Sequence, residues 1–397
     1  MIREISRRKC LRLWLCKPEY MGRTKWENRF VLLRFRKKNY MMFLKDLKRF
    51  KMERLYDKLK AYSESDFYAF HMPGHKRNKA LLGIELPYDL DITEIDGFDD
   101  LHHADGILKE EQERAARVFG AEESHFLVNG STAGILSAVM GCTHRGDKIL
   151  VARHCHKSIY HAIYMNGLVP RYVYPEFDIS MHMNGEISKE DVAKALAAEP
   201  DIKAVVIVSP NYDGVVSDVK GIAEVAHSCR IPLIVDEAHG PHFGFHPAFP
   251  GRANDLGADV VINSLHKTLP SLTQTAILHI NGKIVNRRRI KKYLDMLQSS
   301  SPSYIFMASL DACVDFVDGK CENAFELYVE RLQKFREELK PLQHLQILRT
   351  EHYDISKVVI STANANITSP ELADRLRKEY HLEMEMTGGT YVLAMTT

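Results

Sequence analysis

Two short runs in this chain carry groups that could do chemistry together. An apolar stretch, Asp259-Val260-Val261-Ile262-Asn263, ends in Ser264-Leu265-His266-Lys267. Roughly thirty residues upstream, Pro232-Leu233-Ile234-Val235 ends in Asp236-Glu237-Ala238-His239. Two buried strands that each deliver a polar group at their carboxyl ends are what a cofactor site in an α/β sheet needs. A lysine amine can condense with an aldehyde, and a carboxylate can pair with a pyridine nitrogen. That pair suits pyridoxal phosphate. Desolvation and nearby cations would keep the Lys267 amine partly neutral, as such condensation requires. Taken singly, the two residues also fit a surface lysine and a helix cap or structural ion pair.

Three further segments follow strand-like runs. Asn129-Gly130-Ser131-Thr132-Ala133-Gly134 offers backbone N–H groups and two hydroxyls where a helix should begin, which suits a phosphate and equally a plain helix cap. In Arg153-His154-Cys155-His156-Lys157-Ser158 the His-x-His pair suggests a metal, but neighbours in an extended segment alternate sides and no carboxylate cluster or C-x-x-C completes a ligand set. His239, His242 and His246 fail the same test, so no metal site is expected. A histidine stacked on a cofactor ring is the better use of His156. Ser209-Pro210-Asn211-Tyr212-Asp213-Gly214 reads as a turn that is also a candidate contact for cofactor or substrate. The tetrad Asp236-Glu237-Ala238-His239 resembles a helicase motif, yet the chain has no phosphate loop of the G-x-x-x-x-G-K-[ST] type to accompany it.

These segments need elements to position them. Strands are expected near 125–128, 149–152, 171–174, 204–208, 233–235, 260–263 and 276–280, and helices over 131–141, 157–166, 189–198 and 219–228. Such alternation predicts a mainly parallel seven-stranded sheet with helices on both faces. The last two strands leave no room for a crossover helix, so one of them should run antiparallel. Shorter helices are expected near 52–63 and 107–119, and helical pattern over 304–340. Strand-like pieces at 357–361 and 391–395 flank a helix at 370–380, the makings of a small second α/β domain. The domain division expected is 1–51, a basic extension; 52–106, a segment serving dimer and active site; 107–310, the cofactor-binding domain; and 311–397, a linker helix and partial C-terminal domain.

Composition is that of a globular chain, 45% hydrophobic and 27% charged over 397 residues. No apolar run approaches the roughly 18–20 residues of a membrane span. Seven cysteines are scattered without a C-x-x-C pair, which points to reduced thiols and a cytoplasmic setting. The net charge of +2 hides an asymmetry: residues 1–51 carry 17 Lys+Arg against 4 Asp+Glu, a net of +13, leaving −11 for the remainder. Both tryptophans, Trp14 and Trp26, fall in that basic part. It reads as a disordered tail or upstream sequence preceding a start near Met41, Met42 or Met52, as a basic amphipathic segment, or as a nucleic-acid-binding arm; the first reading is preferred.

Together the motifs resemble the Orn/Lys/Arg decarboxylase family of fold-type I pyridoxal phosphate enzymes. His71-Met72-Pro73-Gly74-His75-Lys76 is similar to its N-terminal signature, and Asp91-Ile92-Thr93-Glu94-Ile95-Asp96-Gly97-Phe98-Asp99-Asp100-Leu101-His102-His103 to its acidic stretch. The run from Ser264 to Ala276, with Lys267 and Gln274, is close to its lysine-attachment motif. Ser300–Tyr304, Met307–Asp311, Glu383–Met386 and Tyr391–Leu393 extend the match.

By that resemblance Lys267 would form the Schiff base and Asp236 would pair with the pyridine nitrogen. Ala238 and His156 would lie against the two ring faces, and Ser131, Thr132, Ser264 and His266 would hold or neighbour the phosphate. The resemblance implies decarboxylation of arginine, lysine or ornithine to agmatine, cadaverine or putrescine, as in polyamine biosynthesis, with arginine slightly favoured. It also implies a homodimer or higher homo-oligomer whose sites lie at subunit interfaces reached by 91–100 and 298–304, and a C-terminal domain that would continue past Tyr391–Leu393. Glu94, Asp96 or Asp99 would suit the substrate's distal cation. An aminotransferase, an aldolase-type lyase and a non-catalytic relative are the competing readings.

Overall fold

The computed structural model describes residues 53–80, 82–179 and 181–397; the basic segment 1–51 lies outside the described residues. After α1 (Leu55–Ser63) and a long, mostly irregular segment come α2 (Ile107–Phe119), β1 (Glu123–Leu127), α3 (Gly130–Cys142), β2 (Lys148–Ala152), α4 (Lys157–Asn166) and β3 (Val169–Val173). A two-residue hairpin, β4 (Phe177–Asp178) and β5 (Met183–Asn184), leads to α5 (Lys189–Ala198), β6 (Ile202–Val208), α6 (Val219–Ser228) and β7 (Leu233–Asp236). Then follow β8 (Val260–Asn263), the single turn α7 (Leu265–Thr268), β9 (Ala276–Ile280), α8 (Arg287–Leu297), α9 (Tyr304–Val317) and α10 (Glu322–Leu339). The last elements are β10 (Gln346–Leu348), β11 (Lys357–Ser361), α11 (Ser369–Tyr380), β12 (Met386–Thr387) and β13 (Tyr391–Met395). Among the described residues no helix is long and apolar enough to cross a membrane.

The main sheet has seven strands in the order β1-β9-β8-β7-β6-β2-β3, and β9 runs against its neighbours β1 and β8 while the remaining pairs are parallel. The central strands read Leu-Ile-Val and Val-Val-Ile because both of their faces are covered. On one face Ile135, Val139, Ile159 and Ile290, from α3, α4 and α8, pack on Val151, Val206, Ile234 and Ile262. On the other, Val192, Leu196, Ile222 and Ala226 of α5 and α6 cover Val205, Ile207 and Val235. Helix α3 lies close to the sheet because Gly134 leaves room: a Cβ there would come within 2.6 Å of Leu127 Cδ1.

The tail builds a second, antiparallel sheet in the order β10-β11-β13-β12, with α11 against it. Helix α11 opens with a capping box in which Thr368 and Glu371 exchange side-chain and backbone hydrogen bonds. This sheet meets the loops that follow β6 and β7: Val215 bridges Tyr353, the Tyr391 hydroxyl donates to Asp213 Oδ1 at 2.7 Å, and His242 Nε2 lies 3.2 Å from Asp354 Oδ1.

Some details depart from the sequence expectation. The helical stretch over 304–340 is two helices, divided at Asp318–Cys321 where Gly319 takes φ +112. Helix α8 escapes the sequence pattern because Arg287-Arg288-Arg289 and Lys291-Lys292 mask its two buried contacts, Ile290 and Leu294. Strand β3 starts two residues early and includes Pro170, tolerated because β3 is an edge strand.

Candidate active site

The polar groups singled out in the sequence collect at the carboxyl edge of the main sheet. Strands β7 and β8 are parallel neighbours, with Asp236 paired in register to Ile262. Asp236 therefore ends one strand beside the point where β8 turns, through Ser264, into the one-turn helix that carries Lys267. Strand alternation sends the two acids of Asp236-Glu237 in opposite directions. Glu237 is satisfied by protein: it accepts from Ala253 N–H at 2.8 Å and Asn263 Nδ2 at 3.0 Å, while burial pushes its carboxyl up to about 8.

Asp236 is only 3% exposed, and among the described residues it accepts one hydrogen bond, from the Ala238 N–H at 3.1 Å. Burial pushes its carboxyl up, opposed by the nearby Lys267 charge and by that N–H. A carboxylate so desolvated is stabilised by a cation brought to it. Lys267 is driven the other way: burial lowers its amine, and Asp236 and Glu385 pull against the shift. Its Nζ lies 2.8 Å from Nε2 of His239, and His239 is held well below its ordinary value by burial and by the Lys357 and Lys267 charges.

Helix α3 begins at the same edge. Gly130 adopts φ +72, a conformation that favours glycine, and its N–H is bound to Gln274 O at 2.9 Å. Asn129 does not cap the helix; its Oδ1 accepts instead from Ser299 N–H at 3.0 Å. The first-turn N–H groups at Ser131 and Thr132 are therefore left without a side-chain cap. Among the described residues Ser264 Oγ is buried without a hydrogen-bond partner, and His266 Nδ1 lies 2.9 Å from Thr275 O. His156 begins α4 at the end of β2 and accepts from Ser158 N–H; burial and the Lys267 charge lower it.

An orphan hydroxyl, an uncapped helix start and an under-bonded buried carboxylate, set around a lysine whose amine burial lowers, fit the phosphate, pyridine nitrogen and aldehyde of pyridoxal phosphate. An open cavity of about 540 Å³ lies elsewhere, along Tyr56, Lys60, Phe67 and Arg77, and holds no comparable set of groups.

Residues 53–365 match the family model described as Orn/Lys/Arg decarboxylase, major domain. The chain belongs to the Orn/Lys/Arg decarboxylase family. Its cofactor is pyridoxal phosphate. The chain is similar to the protein YaaO of Bacillus subtilis, 42% identical over 66% of this chain and 56% of YaaO. It is similar to the arginine decarboxylase of the same organism, 34% identical over 86% of this chain and 73% of that enzyme. The solved structure of lysine decarboxylase A from Pseudomonas aeruginosa shares the fold, with a TM-score of 0.76 at 23% identity over 91% of this chain and 58% of that one. This decarboxylase-family chain thus spans under two thirds of the length of YaaO and of that solved structure.

Lys357 lies outside the sequence motifs, and Glu385 and Tyr212 fall within Glu383–Met386 and Ser209–Gly214 without a role assigned to either. Lys357, at the start of β11, is fully buried and its Nζ lies 3.1 Å from Nδ1 of His239. Glu385 accepts from the Tyr212 hydroxyl at 2.5 Å, and its charge reaches both Lys267 and Lys357. They come from the second sheet, nearly a hundred residues or more beyond Lys267, and no spacing links them to it. The only signal for Lys357 is a charge inside the apolar run Lys357-Val358-Val359-Ile360. Tyr212, in the loop read as a turn, also sets its ring 4.9 Å from that of His239, whereas Asn211 serves the turn itself by accepting from Gly214 and Val215 N–H.

The acidic N-terminal stretch has a different use. Asp99 accepts backbone N–H bonds from Asp105, Gly106 and Leu108 and holds the start of α2. Burial opposes ionisation of Asp99, but these bonds hold its carboxyl below the ordinary value. It has little capacity left for a substrate cation.

Proposed function

We propose that this protein decarboxylates a basic amino acid, with arginine favoured over lysine and ornithine. Family membership and the under-bonded Asp236 beside Lys267 support the reaction. The 34% identity to an arginine decarboxylase, over most of this chain, supports the substrate.

In this reading Lys267 holds the cofactor, and in its free form holds a proton for the substrate α-carbon. Bound pyridoxal phosphate supplies the electron sink for the pair left behind as CO₂ departs. Asp236 keeps the ring nitrogen protonated, and its burial makes that ion pair strong. Ser131, Thr132, Ser264 and His266 hold or neighbour the phosphate at the start of α3, while Ala238 and His156 bound the two ring faces. Glu385, held by Tyr212, takes the place of Asp99 beside Glu94 and Asp96 among the acids proposed for the substrate's distal cation. The overall reaction consumes one proton.

A homodimer or larger assembly is supported by the apolar side chains shown to solvent at Phe67, Tyr68, Phe70 and Met72, the last three between 63% and 92% exposed. A cytoplasmic setting is supported by the free state of the five described cysteines.

The full chain should be purified with pyridoxal phosphate and its visible absorbance followed through borohydride reduction. A band that borohydride abolishes and that Lys267→Ala lacks is expected, with CO₂ released from arginine faster than from lysine or ornithine. A folded protein that stays colourless with added cofactor would overturn the reading. A coloured protein releasing no CO₂ from any of the three would leave the site assignment and remove the substrate class.

A further inference from the structure

His239 stands between two lysines. Its Nε2 is 2.8 Å from Lys267 Nζ, and its Nδ1 is 3.1 Å from Lys357 Nζ. A neutral imidazole carries one N–H and one acceptor nitrogen. It can therefore accept from one ammonium but must donate on its other side, where only an unprotonated amine can receive the bond. Two ammonium groups cannot both be satisfied by this ring, and a protonated ring between two lysines is opposed by burial and by both charges. The geometry itself thus calls for one charged and one free amine.

The surroundings decide which is which. Burial lowers the Lys357 amine to about 8 and the Lys267 charge adds to this, while Asp354, Glu385 and Asp213 pull against the shift and keep it an ammonium at neutral pH. Asp354 stays ionised: burial opposes this, but His242 and Lys357 outweigh it. Lys267 faces Asp236 and Glu385, with His239 beside it and the imidazole of His156 within electrostatic reach. In the reading above Asp236 belongs to the cofactor's ring nitrogen, which leaves Lys267 the less supported cation. The position of Lys357 is enforced by packing. Its stem crosses Gly214, where φ is +105 and a Cβ would come within 2.7 Å of Lys357 Cγ. Its backbone oxygen accepts from Tyr353 Oη at 2.9 Å and Arg336 Nη2 at 2.8 Å.

We propose that Lys357 is a positioning residue for the cofactor lysine: as an ammonium it donates to Nδ1 of His239, fixing the Nε2–H tautomer, which donates to Lys267 and holds that amine in its free, nucleophilic form. Lys357 touches neither cofactor nor substrate in this role and acts through His239. The proposal rests on the assignment of Lys267 as the cofactor lysine.

The test is the pH dependence of cofactor capture. The full-length protein is stripped of cofactor, pyridoxal phosphate is added across a pH series, and the rate of appearance of the borohydride-sensitive visible band is measured. In Lys357→Met the midpoint of the rate profile should move up by about 1–2 pH units, roughly a 10–100-fold slower capture on its acid side. Lys357→Arg, which keeps the charge, should recover much of the original profile. His239→Phe, which offers neither a donor nor an acceptor to the two lysines, should shift as Lys357→Met does, and replaces it if that variant does not fold. An unmoved midpoint in whichever of the two folds would overturn the proposal. If the unaltered protein itself forms no such band, the assignment of Lys267 fails instead, so the two failures are distinguishable.

Discussion

Two buried clusters of charge in this molecule look alike in composition, and both leave buried polar atoms without hydrogen bonds among the described residues (Glu111 Oε1 and Oε2 and Arg114 Nε in one, Ser264 Oγ in the other), but they differ in where that unmet capacity lies. The first joins α1, α2 and α9. Arg114, 3% exposed, lies 2.5 Å from both Glu111 Oε2 and Asp311 Oδ1, Arg54 adds a second guanidinium, and Asp311 Oδ2 accepts the Leu55 N–H at 2.9 Å. Burial and the neighbouring Asp311 push Glu111 up to about 9. The second is the Asp236–Lys267–His239–Lys357 group at the sheet edge, where Asp236 has one backbone donor and Ser264 Oγ has none. Both contain strongly perturbed acids. Perturbation alone therefore does not mark an active site; unmet bonding capacity facing a strand's carboxyl end does. In the helical cluster two guanidinium groups meet the Asp311 carboxylate within the protein, whereas at the sheet edge the Asp236 carboxylate has a single backbone N–H donor among the described residues.

The comparison breaks if the two clusters respond alike to loss of a member. Lys267→Ala should remove the borohydride-sensitive band and lower CO₂ release by about 10⁴-fold, while the thermal midpoint stays near that of the unaltered protein, because Asp236 keeps its Ala238 N–H and the cost of burying the Lys267 amine is removed with it. Arg114→Met should do the reverse. It leaves Asp311 with Arg54 and the Leu55 N–H and Glu111 with Arg54 at 3.8 Å, so denaturant titration should show a loss of up to about 3–5 kcal/mol, with the visible spectrum of whatever folds unchanged.

Asp236→Asn sharpens the contrast further. Release of CO₂ should fall by about 10²–10³-fold, the range seen when one preorganised electrostatic partner is lost, yet stability should hold or rise because a buried, poorly bonded carboxylate is gone. Chemical denaturation alongside a CO₂ assay reads both, and a matched loss of stability would show that Asp236 serves the fold.

The last effect is a slope with pH. Glu111 has a folded-state value raised above its ordinary 4.5 to about 9. Its contribution is therefore full below about pH 4.5 and declines as pH rises towards 9, because the unfolded chain releases a proton that the folded one retains. Unfolding free energy should fall across that window by up to about 1.4 kcal/mol per pH unit from this group, and Glu111→Gln should flatten that component. A slope unchanged in Glu111→Gln would assign the pH response to other groups.

Much of the main sheet is legible in the amino-acid sequence. The bounds of β8 and β9 and of α4, α5 and α6 agree with the apolar patterning, because central strands of a parallel sheet are apolar on both faces and the flanking helices repeat every three to four residues. The start of α3 is legible from Asn129-Gly130-Ser131, where glycine permits φ +72. Helix α8 is not, since its face is two residues wide among five basic ones. Asp99 illustrates the limit for the site: an acid near other acids invites a ligand-binding reading, and only the fold shows its oxygens filled by backbone N–H groups.

Local patterning alone determined the strand–helix alternation and the delivery of Asp236, Ser264 and Lys267 to strand ends, because each depends on residues within one turn or one strand. Tertiary structure alone decided that Lys357 and Glu385, from a second sheet, approach Lys267. Burial removes water from the intervening space and makes the charges of distant segments felt across it. No local pattern encodes that proximity, since it arises from the docking of β11 and of the segment before β12 against the loops that follow β6 and β7.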